Sequence, residues 1–415
     1  MIWLTEDLAP DFKTIADFRK DNREGIKNIF KDFLNFCHKM DLLSLEIIAI
    51  DGTKLRAQNS INNIYKRNEI AKLQKRIQEK ISEYLFELDI ADEKEVEELK
   101  IKDIEVEGIV NKLKKLSKYK DKVKGIRAIF EGDKELNIYF ATDKDSRFQS
   151  DQGKVKAGYN SQIATDSKNK LIVANDVTNE SNDQKQMSPM IEKVKDVKED
   201  LEIDVKTKAV MDNGYFSEKE IINNSTNEKI EVIVSNKKEP HKKKERTDLI
   251  PVEGFKIEAF KYNKVKDVYI CPEGKELKRT HARPGIESSG RKVFEYQCYS
   301  CNGCKNRPFC TKNKRGRSIK VSVNKEYMDE YKESIKNDEN KKIIKKRKEI
   351  VEHPFGTIKR SFGFTYFMQR GLEKVKAEFS FICFTYNLKR VLNMFSTEDI
   401  IEMIGSIKTA KLTTN

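Results

Sequence analysis

The chain has 415 residues, with 82 Lys and Arg against 68 Asp and Glu and a formal net charge of +14. That length allows one large domain with insertions or two to three smaller ones, and 22 Phe with 14 Tyr argue against a globally disordered chain. No apolar stretch is long enough to span a bilayer, and the opening MIWLTEDLAPDF lacks the basic-then-apolar layout of a signal peptide. The expectation is a cytoplasmic protein with a polyanionic partner, nucleic acid ahead of membrane.

Residues 11–41 place Ile15, Phe18, Ile26, Ile29, Phe30, Phe33 and Leu34 at helical spacing. LEIIAID, residues 45–51, predicts a buried strand ending on an acid. The charged stretch 60–131 carries Ile70, Leu73, Ile77, Ile81, Leu85 and Leu88 at helical positions, which predicts a helical hairpin inserted after the first strand. Two strands are expected at 153–166 and 170–178, a helix at 183–199 and a strand at 205–211. Asp212-Asn213-Gly214 reads as a turn, Ser217 with Glu220 as a capping box opening a helix, and 230–234 as a further strand. A basic loop (236–247), a β-rich segment (255–325), a long helix (326–353) and an apolar helix (375–394) follow. Without the insertions the order is βββαβαβα, an α/β architecture with a mixed sheet flanked by helices.

Three acids stand out. Asp51 and Asp212 each end an apolar run, and Glu352 sits among Lys345, Lys346, Arg347, Lys348, Lys359 and Arg360. Each has a plain reading: an Asp-Gly strand-end turn, an Asp-led turn before a helix, and a surface ion pair. Pro354 is expected to bend or end the helix beside Glu352. Taken together, carboxylate oxygens are hard ligands suited to Mg²⁺, and two such ions clamp the oxygens of an in-line phosphoryl transfer. Glu352 and Lys359, seven apart, would share a face if the helix continued, an acid for a metal beside a cation for a phosphate.

The segments WLTEDLAPDFKTIADFRKDN, IIAIDGTKLRAQNS, TDKDSRF, GYNSQIATD, VANDVTNESNDQKQM, AVMDNGYFSEKEI, CPEGKEL, CNGCKNRPFC, VEHPFGTIKRSFGF and QRGLEKVKAEFSFICFTYNLKR occur in this order. They resemble the DDE transposases of bacterial insertion sequences, over roughly residues 1–394. The resemblance implies a ribonuclease H-like core in which Asp51, Asp212 and Glu352 form the catalytic triad and hold Mg²⁺ or Mn²⁺. Lys359 completes the E-x6-K signature. It further implies metal-dependent cleavage of transposon ends and transfer of the 3′-hydroxyl into target DNA. The partners would be double-stranded DNA, as ends and as target, and further copies of the chain on that DNA, in the bacterial nucleoid. Related enzymes often carry Tyr and Arg upstream of the Glu, where this chain has Lys345 and Lys348, with Arg347 one position off. Arg347, Lys348, Lys359 and Arg360 are the DNA contacts expected by charge.

The implied organisation is a helical N-terminal region at 1–44, a core at 45–235 and 326–395 interrupted by a helical insertion at 55–135, a Cys-rich β insertion at 236–325, and a peripheral tail at 396–415. Related chains usually have a further helical region before the Trp-Leu-Thr motif, which here starts at Trp3. The N-terminal region is therefore expected to be truncated, and the alternative function is a catalytically inactive DNA-binding relic.

Other polar residues leave two readings open. Asp143 and Asp145 either support the metal ligands or cap the turn into the next strand. Asp183 is an N-cap first, with the metal site as its other target. Tyr159, Asn160 and Gln162 lie on a strand where alternate residues share a face. Cys298, Cys301, Cys304 and Cys310 follow Cys271-Pro272 with spacing that favours Zn²⁺ over disulfides in a reducing compartment. Cys271, Cys301, Cys304 and Cys310 are the expected ligands, with Cys298 spare and unligated thiols as the other reading. Cys37 and Cys383 read as packed thiols in apolar helices.

Overall fold

The structure, a computed structural model, describes residues 11–93, 99–151, 153–235, 251, 253–287, 290–403 and 405. The Trp3 motif, the basic loop 236–247 and residues 406–415 of the tail lie outside them. It opens with two helices where the sequence predicts one, α1 (Phe12–Asp21) and α2 (Arg23–Lys39), because Asn22 between them leaves helical geometry at φ −109° and ψ 39°. α2 buries Ile26, Phe30, Leu34 and Cys37, one stripe of an amphipathic helix.

β1 (Ile47–Arg56) runs through Asp51 instead of ending on it. The reason is its partner. β5 (Lys154–Asp166) pairs antiparallel with β1 from Ile48 to Arg56, so a long neighbouring ladder carries the strand past the acid. The chain then makes β2 (Ile64–Lys66), α3 (Ile70–Glu93), α4 (Leu99–Gly132) and β3 (Ile138–Phe140). β2 and β3 pair antiparallel and tie the two ends of this helical hairpin together, over a small core that includes Ile70, Ile77, Val123 and Phe130.

β4 (Arg147–Asp151) is a short polar strand that apolar patterning does not reveal. It precedes β5, then β6 (Ile172–Thr178), α5 (Met187–Asp200), β7 (Thr207–Met211), α6 (Glu218–Asn223) and β8 (Ile230–Val234). Ser217 precedes α6 but makes no side-chain cap bond, and Glu220 instead accepts the Ser188 N–H at 2.9 Å. These strands form a six-stranded mixed sheet in the order β4-β5-β1-β7-β8, with β6 also paired to β5. β1, β7 and β8 are parallel, whereas β5 is antiparallel to β1, β4 and β6.

The Cys-rich segment folds as a second, antiparallel sheet of β9 (Lys261–Asn263), β10 (Val268–Ile270), β11 (Glu276–Arg279), β12 (Gly285–Ile286), β13 (Lys292–Gln297) and β14 (Ser318–Ser322), with the short helix α7 (Arg307–Cys310) before β14. It has its own core, around Phe260, Tyr269, Leu277, Tyr296 and Ile319.

The chain returns to the main sheet through α8 (Lys325–Ile335) and α9 (Asp338–Gly356), where the sequence predicts one helix. Asn337 breaks it, because its side chain caps α9 by accepting the Asn340 N–H at 2.7 Å. α9 continues through Pro354 and widens into a π turn at Thr357–Ser361, so the proline does not end the helix. α10 (Leu372–Leu392) is last of the large elements. Ala49, Val210 and Ile233 of the sheet pack against Ile343, Ile350 and Val351 of α9. The larger core joins Ile48, Ile50, Ile163 and Val173 to Leu34, Met190 and Phe379.

Candidate active site at the ends of the parallel strands

β1 and β7 are parallel neighbours with Ala49 opposite Val210. Asp51 and Asp212 each lie two residues further on, at the same level of adjacent strands. Asp212 N-caps a single 3₁₀ turn and accepts the Gly214 N–H at 2.8 Å. The Asp51 carboxylate accepts the Gly52 N–H at 2.8 Å through Oδ1 and the Arg347 guanidinium at 2.8 Å through Oδ2. Burial pushes the Asp51 carboxyl up to about 6; Arg347 opposes the shift, and the nearby negative charge of Asp212 adds to it.

Asp183 joins this pair. Its Oδ1 accepts from Asn160 at 2.7 Å, from Gln162 at 2.8 Å and from Lys54 at 3.4 Å. It is not the cap of α5, whose N-cap position is Gln186. Tyr215 is fully buried below, donating its hydroxyl to Gln162 Oε1. Its phenol is pushed well up by burial, with Asp183, Asp51 and Asp212 all contributing. Two glycines make this crowding feasible. A Cβ on Gly52 would lie 2.3 Å from Gln162 Nε2 and 2.9 Å from Asp183 Oδ1, and one on Gly214 would lie 3.0 Å from Asp212 Oδ1. Gly52→Ala is therefore expected to push Gln162 and Asp183 out of place and, on the function proposed below, to cut the rate of catalysis at least tenfold, while the fold survives. A circular dichroism spectrum like that of the parent, alongside the rate measurement, separates the two effects.

Glu352 is exposed on α9. The buried side of that helix carries Ile343, Arg347, Ile350, Val351 and Pro354, and Glu352 is about 140° round the helix from Arg347. Among the described residues no three His, Cys, Asp or Glu side chains stand close enough to hold a metal ion. Asp51, Asp212 and Asp183 are neighbours without forming a ligand set, whereas Glu352 is exposed on the covering helix. Of the expected DNA contacts, Arg347 is buried on Asp51 rather than on the surface. Lys348 and Arg360 are exposed, and Lys359, in the π turn, is half-buried.

Asp143 and Asp145 serve the start of α10. Asp143 Oδ1 accepts from the Tyr159 hydroxyl at 2.7 Å and the Gly371 N–H at 3.1 Å, and Asp145 accepts the Leu372 N–H at 2.8 Å. Tyr159 therefore points away from the acids, while Asn160 and Gln162 point at Asp183.

The sulfurs of Cys271, Cys298, Cys301, Cys304 and Cys310 line one small cavity in the second sheet. None is in a disulfide. Backbone N–H groups of Lys275 and Arg317 donate to the sulfurs of Cys271 and Cys301, both at 3.3 Å. Burial pushes the Cys298 thiol up to about 11, helped by its hydrogen bond with Cys301. Gly316, at φ +100°, lets the backbone pass so close that a Cβ there would lie 2.2 Å from the Cys298 carbonyl oxygen. Cys37 and Cys383 are buried, as packed thiols are.

Residues 270–392 match the family described as Transposase DDE domain. The match supports a DDE transposase. It spans the cysteine cavity, Glu352 and Lys359, and it excludes Asp51 and Asp212, which rest on the resemblance and the strand geometry. No curated protein and no solved structure matched the chain. No helix among the described residues is long and apolar enough to cross a membrane. Asp183, Arg347 and Lys54 are the site residues that sequence reasoning placed elsewhere or left out. For Asp183 the Asn160 and Gln162 amides one strand away were the available signal.

Proposed function

We propose that the chain is a DNA transposase of a bacterial insertion sequence, built on a ribonuclease H-like core, that cleaves transposon ends and joins the 3′-hydroxyl to target DNA. The observation that carries this reading is the equal level of Asp51 and Asp212 on adjacent parallel strands, with the family-matched Glu352 helix packed on that sheet. The core order is compatible with it: β5 flanks β1 on one side, with β4 and β6 beyond it, and β7 and β8 follow on the other side.

The chemistry of the donors suits Mg²⁺ or Mn²⁺, although their present spacing does not form a ligand set and Glu352 would have to swing toward the two aspartates. All the candidate ligands, Asp51, Asp212 and Glu352, are hard carboxylates, and the burial that disfavours an anionic Asp51 is the situation a divalent cation relieves. When bound, the ion supplies charge neutralisation at the phosphate and a lowered pKa for water. Arg347 holds Asp51 in place, and the Asn160–Gln162–Asp183 network fixes the strand beside it. In cleavage a water oxygen bonds to phosphorus as the bond to the 3′ oxygen breaks, and that oxygen leaves as a hydroxyl. In joining, the same hydroxyl attacks a target phosphodiester and releases a new 3′ end. Lys359 is the cation beside the phosphate. Strand transfer needs two ends, so the protein acts as a dimer or larger assembly on DNA, in the cytoplasm at the nucleoid.

The test is cleavage and strand transfer on the element's own end DNA with Mg²⁺ or Mn²⁺. The parent chain should give products and Asp212→Asn should lower the rate by at least 10²-fold with DNA binding retained. Binding without products from the parent chain would instead mark a relic.

We also propose that Cys271, Cys301, Cys304 and Cys310, which line one cavity without forming a ligand set as placed, would draw together on Zn²⁺ and hold the second sheet, with Cys298 spare. The N–H donors on Cys271 and Cys301 support this, since such bonds favour a thiolate.

A further inference from the structure

Two cavities open side by side beyond the acids, and they share Arg56, Lys156 and Ala157. The inner one, about 480 Å³, is lined by five cations, Lys54, Arg56, Lys154, Lys156 and Lys359, against one acid, Asp151. Lys54 lies at its inner end, where its ammonium meets Asp183 beside the acids. Among the described residues Arg56, Lys154, Lys156 and Lys359 appear in no ion pair with a protein acid. Their charge therefore faces the cavity or solvent uncompensated. The outer cavity, about 730 Å³, changes character: amides and hydroxyls from Asn59, Ser60 and Asn63 stand beside Phe148 and Tyr366. Tyr366 is 45% exposed, and the Arg56 guanidinium lies 5.7 Å from its ring centroid. Its loop is pinned to the end of β1: the Phe367 N–H donates to the Arg56 carbonyl at 2.8 Å, and the Arg56 N–H donates to the Thr365 carbonyl at 3.2 Å. β1 is the floor of the whole path. From Asp51 to Arg56 a strand advances about 17 Å, room for several consecutive phosphates.

We propose that this path binds an unpaired DNA strand leading away from the scissile phosphate, its backbone on the lysines of the inner cavity and a base against Tyr366 in the outer one. The proposal rests on the transposase reading for its substrate. A cationic groove that tracks a backbone, next to an exposed ring and base-sized polar walls, is how single strands are held. Cavities of about 480 and 730 Å³ fit one strand and its bases better than a double helix.

The test is fluorescence anisotropy with the full chain in EDTA, on end DNA with a single-stranded overhang and on the blunt duplex. Lys154→Ala/Lys156→Ala should weaken binding of the overhang DNA about tenfold, leave the blunt duplex nearly unchanged, and flatten the salt dependence by about 1.4 in log–log slope, two single-strand phosphates' worth. Lys206→Ala/Lys229→Ala removes the same charge at the opposite ends of β7 and β8, and should change neither. Tyr366→Ala should abolish the quenching of 2-aminopurine placed in the overhang. Equal losses from the two double variants, equal losses on both DNAs, or no binding of overhang DNA by the parent chain would overturn the proposal. Repeating the measurement in Asp212→Asn keeps it separate from catalysis: the groove stands if that variant binds normally, whether or not the parent cleaves.

Discussion

Asp51→Asn should abolish DNA cleavage and at the same time make the protein more stable above pH 6. The Asp51 carboxyl titrates near 6 in the folded chain against an ordinary value of 3.8, chiefly because burial disfavours the anion. A raised carboxyl pKa means that the folded state holds the proton more tightly than the unfolded state does. Its contribution to stability is therefore complete below about pH 4 and is lost as pH rises through 6. At pH 8 the ionised group costs on the order of 3 kcal/mol, about 1.4 for each pH unit between the two values. Asparagine resembles the neutral carboxyl in size and charge and avoids that cost. Thermal unfolding in EDTA should show the variant melting a few degrees above the parent at pH 8, with the gap closing toward pH 4. Added Mg²⁺ should raise the parent and leave the variant unmoved. A gap that does not change with pH, or a parent that is the more stable at pH 8, would sink this account of Asp51. Stability given up at the proposed catalytic acid would be the usual trade between a prepared site and a relaxed one.

The sequence made the two aspartates visible because each follows an apolar run. It could not show that they lie level with one another, since that depends on Ala49 meeting Val210 across two strands far apart in the chain. Asp183 had two readings, and the local sequence favoured the cap over the metal site for a related reason. Ahead of a helix an Asp looks like a cap, but here three donors from β1 and β5 take its side chain, and the helix begins later. Arg347 looked like one more cation of a solvated, basic helix. Helical phase relative to Ile343 and Ile350 was the available clue that it faces the sheet. The break between α8 and α9 was also written locally, in Asn337 followed by Asp338 and Glu339, a capping signature that the broad basic pattern obscured. β4 carried no such signal. Arg-Phe-Gln-Ser-Asp has little apolar alternation, and it is a strand because the long β5 offers it an edge.

Removing the proposed zinc should have the second large effect, and it should be confined to the Cys-rich sheet. That sheet rests on a small core of its own, and a metal commonly supplies the missing stability in such a unit. The full chain purified without chelator should contain about one Zn²⁺ per molecule. Cys304→Ser should reduce that content to a small fraction, expose the segment 255–325 to protease, and leave the main sheet intact. Cys298→Ser should keep the zinc. Cys298 is buried, its thiol pushed up to about 11, and it is the neighbour of Cys301 rather than an acceptor of a backbone N–H. Cys304 differs in having no resolved place in the packed core of the sheet, so its substitution tests ligation more than packing. Because ligation requires thiolates, the metal should also be lost on acidification, with protons taken up as it leaves. A zinc-free parent chain, or one that loses its metal with Cys298→Ser and keeps it with Cys304→Ser, would overturn the assignment. In the first case the five thiols are packing residues around a hydrophobic cavity, and chelators should leave the protease pattern unchanged.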